Sequence, residues 1–423
     1  MNITEDLKRF VDNENDLNSQ KRKSDIIKSI EKSYALQKEE YKYTPLLKNI
    51  EKKFNLLAEN KDIISQESYR EIKKNIDSKY YILCVDGFYK SELSNIPPNI
   101  SIKNYSELSE KEINVFEKIY QKYDDSKSDF FSSINSITHN DCLTISFDNN
   151  YISKEHISII NIIENYDVSN FRKMIFCDEG SEASFFEYFI DLSQGESFSS
   201  SVTEIYLSKN SKLNYYSTQD FRENYHYNSI NTFQRRDSVS NFYTLSFSGS
   251  IVRNNLNICL NDKNCYANMY GFYAINEKSL VDNHTSVDHV DENSLSNEHY
   301  KGIMGGRSNG VFNGKIFVRK KAQKTNAFQA NNNIILSDKA KVNTKPQLEI
   351  WADDVKCSHG CTVGQMDDDA IFYLMSRGIS RKESISLLLS AFSSEIIDKI
   401  EDDKMKSTFT SLIKNQLEKF NDE

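Results

Sequence analysis

The chain has 423 residues, 38% of them hydrophobic and 12% aromatic, with a formal net charge of −9 at pH 7. That length admits two or three domains with a sizeable core, and the aromatic content argues against disorder despite the abundance of Asn, Lys, Ile and Ser. The acidic balance, with no basic stripe, argues against a nucleic-acid partner; no apolar run reaches the ~18 residues of a membrane span, and the first residues lack a secretory layout, so a cytoplasmic protein is expected.

Leu7, Phe10 and Val11 share one helical face, and Ile26, Ile30 and Tyr34 repeat at four-residue spacing. Thr44 before Pro45 reads as an N-cap with proline at the first helical position, and Leu46, Ile50 and Phe54 continue an apolar face. An apolar run from Tyr80 to Tyr89 reads as a strand, Pro97-Pro98 as a connector, residues 105–125 as helical, and Leu143–Phe147 as a strand. Residues 1–150 are therefore expected to form an N-terminal helical domain with a few short strands, its charge runs a solvated face.

From about residue 170 to 355 the pattern is short runs of Ile, Val, Phe, Tyr and Thr, such as Ala183–Leu192, Val202–Leu207, Phe242–Phe247, Ile251–Leu260 and Lys315–Val318. Asn, Asp, Ser and Gly separate them, which predicts an all-β core over 151–360. Sandwich, barrel and β-helix all fit that spacing. A solenoid is favoured by the single proline, Pro346, by short Asn-rich turns such as Asn210-Ser211, and by the scarcity of Asn-Gly hairpin pairs. Seven cysteines, an odd number, give no disulfide framework; Cys84, Cys142, Cys177 and Cys259 lie in apolar runs and read as small buried hydrophobes.

Two glycine- and histidine-bearing stretches invite functional readings that the spacing discourages. Gly305-Gly306-Arg307-Ser308-Asn309-Gly310 has phosphate-loop glycines but Val311 where lysine is required, so no nucleotide is expected to bind this chain itself. His284, His289 and His299, near Asp288 and Glu298, suggest a metal site, yet the odd spacing puts His284 and His289 on opposite strand faces, and packing roles are expected.

The densest chemistry lies at 346–378. Leu348, Ile350 and Ala352 alternate with polar residues, and continued extension would put Cys357, His359 and Cys361 on one face. Thiolate and imidazole suit iron, zinc or copper(I); the row lacks a fourth ligand, so a surface turn with two thiols and a histidine is the competing reading. Asp367 reads as a helix N-cap with Gly378 as the stop. Residues 361–423 are expected to be a C-terminal helical domain: Ser380 and Glu383 make a capping box, and Ile385, Leu388, Leu389, Phe392 and Ile396, then Met405, Phe409, Leu412, Ile413 and Leu417, form two apolar stripes.

Three blocks of the chain, taken together, resemble one family. They are Asn283–His289 with Ser296-Asn297-Glu298 and Tyr300-Lys301-Gly302; Ala322–Ala327 with Gln329 and Leu336-Ser337-Asp338; and Ala352–Gly360 with Thr362-Val363-Gly364-Gln365 and Asp367–Ile379. This combination, over roughly residues 280–400, is similar to the SufB/SufD family of iron-sulfur cluster assembly proteins. His359-Gly360 followed by Thr362-Val363-Gly364, and the absence of any Cys-x-x-Cys, resemble the SufD side of it.

The resemblance implies a right-handed parallel β-helix flanked by N- and C-terminal helical domains, and a non-enzymatic scaffold role. It implies a SufB-like partner, a SufC-like ATPase docked on the C-terminal helical region, and a transient iron-sulfur cluster or iron at the subunit interface. By residue matching, His359 is the expected cluster or iron ligand and Cys357 the nearby thiol; Cys361 stands where the family usually has alanine and is a spare ligand or a small-residue exchange. Whether the chain pairs with itself when alone is left open. A different class, a metal-dependent β-solenoid enzyme using Cys357, His359 and Cys361, predicts turnover by the isolated chain.

Overall fold

A computed structural model describes residues 3–12, 23–28, 40–57, 62–66, 78–110, 129–164 and 167–422, with Ile30, Arg70 and Ile113. Tyr34 and most of the helix expected over 105–125 lie outside the described residues.

The first strands are antiparallel: β1 (Tyr81–Val85) with β2 (Phe88–Tyr89), and β3 (Ile100–Asn104) with β4 (Cys142–Phe147). From there the chain coils. The strands β5 (Ile157–Ile163), β6 (Val168–Cys177), β7 (Glu182–Asp191), β8 (Phe198–Leu207), β9 (Lys212–Asp220), β10 (Tyr225–Gln234), β11 (Val239–Ser248) and β12 (Ile251–Leu260) alternate between two sheets. So do β13 (Tyr266–Ile275), β14 (Leu280–His289), β15 (Leu295–Met304), β16 (Asn309–Val318), β17 (Asn326–Ile335), β18 (Lys341–Ile350) and β19 (Lys356–Gly364). β5 pairs in parallel with β1, and from β6 on each strand pairs in parallel with the strand two before it, so from β5 onward odd strands build one wall and even strands the other of a parallel β-solenoid of about eight turns. The β-helix expected from the sequence is the observed architecture.

The parallel register stacks equivalent residues. Asn268 Nδ2 donates to Asn241 Oδ1 at 2.7 Å and Asn297 Nδ2 to Asn268 Oδ1 at 2.9 Å, steps of 27 and 29 residues. The corners entering the odd strands repeat as well. Asn210, Asp237, Asn264, Asn293 and Lys324 all have φ between 56° and 63°, the left-handed region that asparagine tolerates best among side-chain-bearing residues. Each donates its backbone N–H to a carbonyl of the next corner, as Asn210 does to Arg236 at 3.1 Å and Asn293 to Gln323 at 2.9 Å. This geometry is why the turns are short and Asn-rich.

The bore is filled by side chains. Phe185, Tyr215 and Phe242 stack on successive rungs with ring centroids 6.0 Å apart. Tyr300 lies across Gly271 and Tyr273 across Gly302, so a Cβ on either glycine would enter a ring. Cys84, Cys142 and Cys177 are buried and Cys259 is half-buried; burial pushes the Cys84 and Cys177 thiols up to about 12, consistent with inert packing thiols.

Helices cover the outside of both walls. On the even wall, α1 (Ile3–Asp12), α2 (Leu46–Lys53) and α3 (Phe130–Thr138) set Leu7, Val11, Leu46, Ile50, Phe131 and Ile134 into one cluster with Phe198, Val202, Tyr227 and Ile251. On the odd wall, α4 (Asp368–Ser376) leads into α5 (Arg381–Ile397) and α6 (Asp403–Glu418). Leu389, Ile396, Phe409 and Ile413 pack there on Tyr216, Tyr243, Leu245 and Phe272. The capping box at Ser380 and Glu383 and the N-cap at Asp367 form as the sequence predicts.

Thr44 departs from expectation. It does not cap α2, whose N-cap is Pro45; its hydroxyl instead donates to Asp282 on β14. Arg253 pairs with the same carboxylate at 2.6 Å, both side chains being buried, and donates to the Glu40 carbonyl while lying 4.7 Å from the Tyr41 ring. Burial alone would push the Asp282 carboxyl up, but the Arg253 guanidinium and His284 outweigh it and hold it well below the usual carboxylate range. Removing one member of such a pair strands the other charge. Asp282→Ala is expected to lower the unfolding free energy by about 3–5 kcal/mol, and Arg253→Met with Asp282→Leu together by much less, read by urea denaturation.

Candidate functional site

Pairing with β17 fixes the orientation of β19. Ala327, Gln329 and Asn331 are buried inside the bore, while Phe328 on the other face is exposed. Their partners in register are Cys357, His359 and Cys361, so the row singled out by its spacing faces inward. Cys357 is half-buried against Ala327, and burial pushes its thiol up; His359 and Cys361 are exposed.

They are exposed because the solenoid ends there. Among the described residues β18 pairs with β16 alone and β19 with β17 alone, so each presents an unpaired backbone edge. Phe328, Ile350, Trp351 and Val363 leave large apolar surface exposed on these last rungs. Long uncovered edges of this kind are templates for pairing with another chain.

One interior column leads to the row. Phe185, Tyr215, Phe242, Met269, Glu298, Gln329 and His359 succeed one another in register. Its first four rungs carry rings and a thioether, with one polar group, the Tyr215 hydroxyl donating to Glu187, and it then turns polar: Gln329 Nε2 donates to Glu298 Oε2 at 2.8 Å, and Thr285 donates its hydroxyl to the other oxygen. Glu298 and Gln329 stand in the sequence blocks quoted above, yet nothing local marks them as neighbours of His359. The signal that finds them is the rung register, which one sequence does not display.

The row does not close into a metal cage. Alternate residues on a strand stand about 6.6 Å apart, whereas two ligands of one zinc-sized ion lie within about 4 Å. Among the described residues no group of three or more His, Cys, Asp or Glu side chains is placed to hold a metal ion. The donor chemistry suits iron or a cluster edge, but the row by itself supplies too few converging ligands to enclose one.

The other histidines stay apart. His284 lies on the outside, 3.0 Å from Asp282 and 3.4 Å from Glu40. His289 is buried in the bore 2.9 Å from the Ser296 hydroxyl, where burial depresses it to about 3. His299 meets Asn332 at 3.0 Å. The glycine stretch at 305–310 is a corner in which Gly305 donates its backbone N–H to Ile275, Arg307 to Glu277, Ser308 to Gly305 and Asn309 to Ser279. Beside the open end, α4 buries only Ile371 and exposes Phe372 and Tyr373 by 73% and 58%.

Comparison with known proteins bears on this arrangement. The family model described as the SUF system FeS cluster assembly, SufBD core domain, matches residues 159–392, and that of the SufBD protein N-terminal region matches 13–159. The chain belongs to the SufBD family. Its relatives include the iron-sulfur cluster assembly protein SufD of Escherichia coli, 30% identical over 60% of each chain. A SufBD family protein of Synechocystis is 27% identical over 75% of this chain and 74% of its own, and the chloroplastic protein ABCI7 of Arabidopsis thaliana is 27% identical over 84% and 78%. The SufBD chain thus spans about 60% of the E. coli protein it matches. Among the described residues no helix is long and apolar enough to cross a membrane.

Glu298 makes the column pH-sensitive. Burial pushes its carboxyl from 4.5 up to about 7, against the Thr285 and Gln329 hydrogen bonds that lower it. The folded chain therefore holds this proton more tightly than the unfolded one, so the contribution is full below pH 4.5 and is lost as pH rises through 7. The loss amounts to roughly 3 kcal/mol. Glu298→Gln is expected to remove this fall, read as a smaller difference between urea unfolding free energies at pH 5 and pH 8.

Proposed function

We propose that this SufBD chain is a SufD-like scaffold subunit of SUF iron-sulfur cluster assembly and not itself an enzyme. In this reading a SufB-like subunit pairs along the exposed edges of β18 and β19, a SufC-like ATPase docks on the C-terminal helical region, and the nascent cluster forms between the two solenoids. His359 and Cys357 serve as cluster or iron ligands on this side, with Cys361 a spare thiol. No nucleotide binds this chain.

The observation that carries the reading is the inward-facing row at an unpaired solenoid end. A ligand row that cannot close on itself, set on strands whose edge hydrogen bonds are unused, is suited to completion by a second chain. The chemistry fits a cargo held briefly: neutral imidazole binds iron less firmly than thiolate, so a mixed site can support assembly and still release its product. The exposed aromatic face of α4 fits a docking helix beside that seam.

His359→Ala is expected to leave co-purification with the SufB-like and SufC-like subunits intact and to lower the cluster absorbance of the reconstituted complex at least tenfold. Wild-type cluster yield would count against the ligand assignment. Phe372→Glu is expected to abolish ATPase co-purification with unchanged circular dichroism; retained binding would move the docking surface elsewhere.

A further inference from the structure

Gln329 sits one rung behind His359 in the inward-facing column. It is 3% exposed, and its Oε1 has no hydrogen-bond partner among the described residues. Its nitrogen is committed to Glu298 Oε2 at 2.8 Å, on the rung behind. Glycine at 314, on the opposite wall, makes the room: a Cβ there would run into the Gln329 amide. The amide is therefore held with its nitrogen turned back along the column and its oxygen unused.

A buried carbonyl oxygen without a donor costs about 1–3 kcal/mol, so a donor that reaches it is favoured. His359 is the next residue of the column, on a neighbouring strand about 4.8 Å away. We propose that Gln329 is a positioning residue for His359: its amide oxygen accepts the N–H of one ring nitrogen and leaves the other bare towards the subunit interface.

This inference rests on His359 acting as the ligand proposed above. Ligating histidines generally give their second N–H to a carbonyl or carboxylate, which fixes the tautomer and the ring plane. Here the fixing group is itself fixed, because Glu298 accepts from the amide nitrogen and Thr285 holds Glu298 from the opposite wall. The chain Thr285, Glu298, Gln329, His359 would fix the exposed ring so that it is aimed out of the bore.

The test uses the full chain in complex with its partner subunit and Co(II) alone as probe. Wild type is expected to show a hyperfine-shifted, slowly exchanging imidazole N–H resonance that His359→Ala removes. In Gln329→Leu that resonance is lost to rapid exchange and Co(II) affinity falls by about 10- to 100-fold. Gly314→Ala, which crowds the amide out of place, acts in the same direction without removing it. Glu298→Leu loses the protected resonance and Glu298→Gln, whose side-chain oxygen still accepts from Gln329, restores it. Protected exchange and unchanged affinity in folded Gln329→Leu would overturn the proposal. If the resonance instead survives His359→Ala, the ligand assignment fails, whatever Gln329 does.

Discussion

Parallel pairing in register governs this molecule. Once each strand bonds to the strand two before it, every side chain is placed over its counterpart one turn earlier, and the chain has little freedom left in how it fills the bore. Stacked rings, the asparagine ladder and the repeated left-handed corners all follow from that repetition. So does the open end: a coil of parallel strands has no internal way to satisfy its last edge, and β18 and β19 inherit the unpaired groups that every earlier rung handed forward.

The outer helices face a different difficulty, since two sheet walls of similar character offer them many places to sit. Buried charge selects among these. Arg172 meets Glu204 at 2.7 Å while reaching Asn135 and Ser136 on α3, and Arg253 ties Asp282 to the backbone of Glu40. Lys173 and Glu187 form a third pair, 2.6 Å apart and wholly inside the bore. Against desolvation such pairs contribute little net stability, but a misplaced partner leaves a stranded charge, so they penalise wrong docking more than they reward the right one. On the odd wall the equivalent tie is mixed: Lys301 is buried under α5, 2.9 Å from Glu395 and 4.0 Å from the Phe392 ring.

Features whose cause lies within a few residues were legible in the sequence. The Ser380–Glu383 box, the Asp367 cap, the stripes of α5 and α6, and the shared face of Cys357, His359 and Cys361 depend on local periodicity, and all appear. Features whose cause is distant were not. Thr44 has the form of an N-cap, yet its hydroxyl meets a carboxylate 238 residues away, and no local rule anticipates that a better acceptor will arrive. The inward direction of the Cys357, His359 and Cys361 row was equally hidden, because alternation shows which residues share a face but not which face is the bore. Arg253, with no feature of its own in the sequence, became a buried hub only once β14 and the segment at 40–44 closed around it.

The change of character along the His359 column connects fold to function. Interior polar groups in a solenoid are costly unless hydrogen-bonded; the first four rungs of this column hold one, the Tyr215 hydroxyl donating to Glu187, and the far end places Glu298, Gln329 and His359 in succession. Along this column the polar groups gather where the bore meets solvent. Deeper in the coil stacked rings leave room for single buried pairs such as Lys173–Glu187; at the rim Thr285, Glu298 and Gln329 are joined by hydrogen bonds one rung behind the His359 imidazole. A packed bore behind and the open row of Cys357, His359 and Cys361 in front give the proposed scaffold role its physical form, one side of a site whose other ligands a second chain would supply.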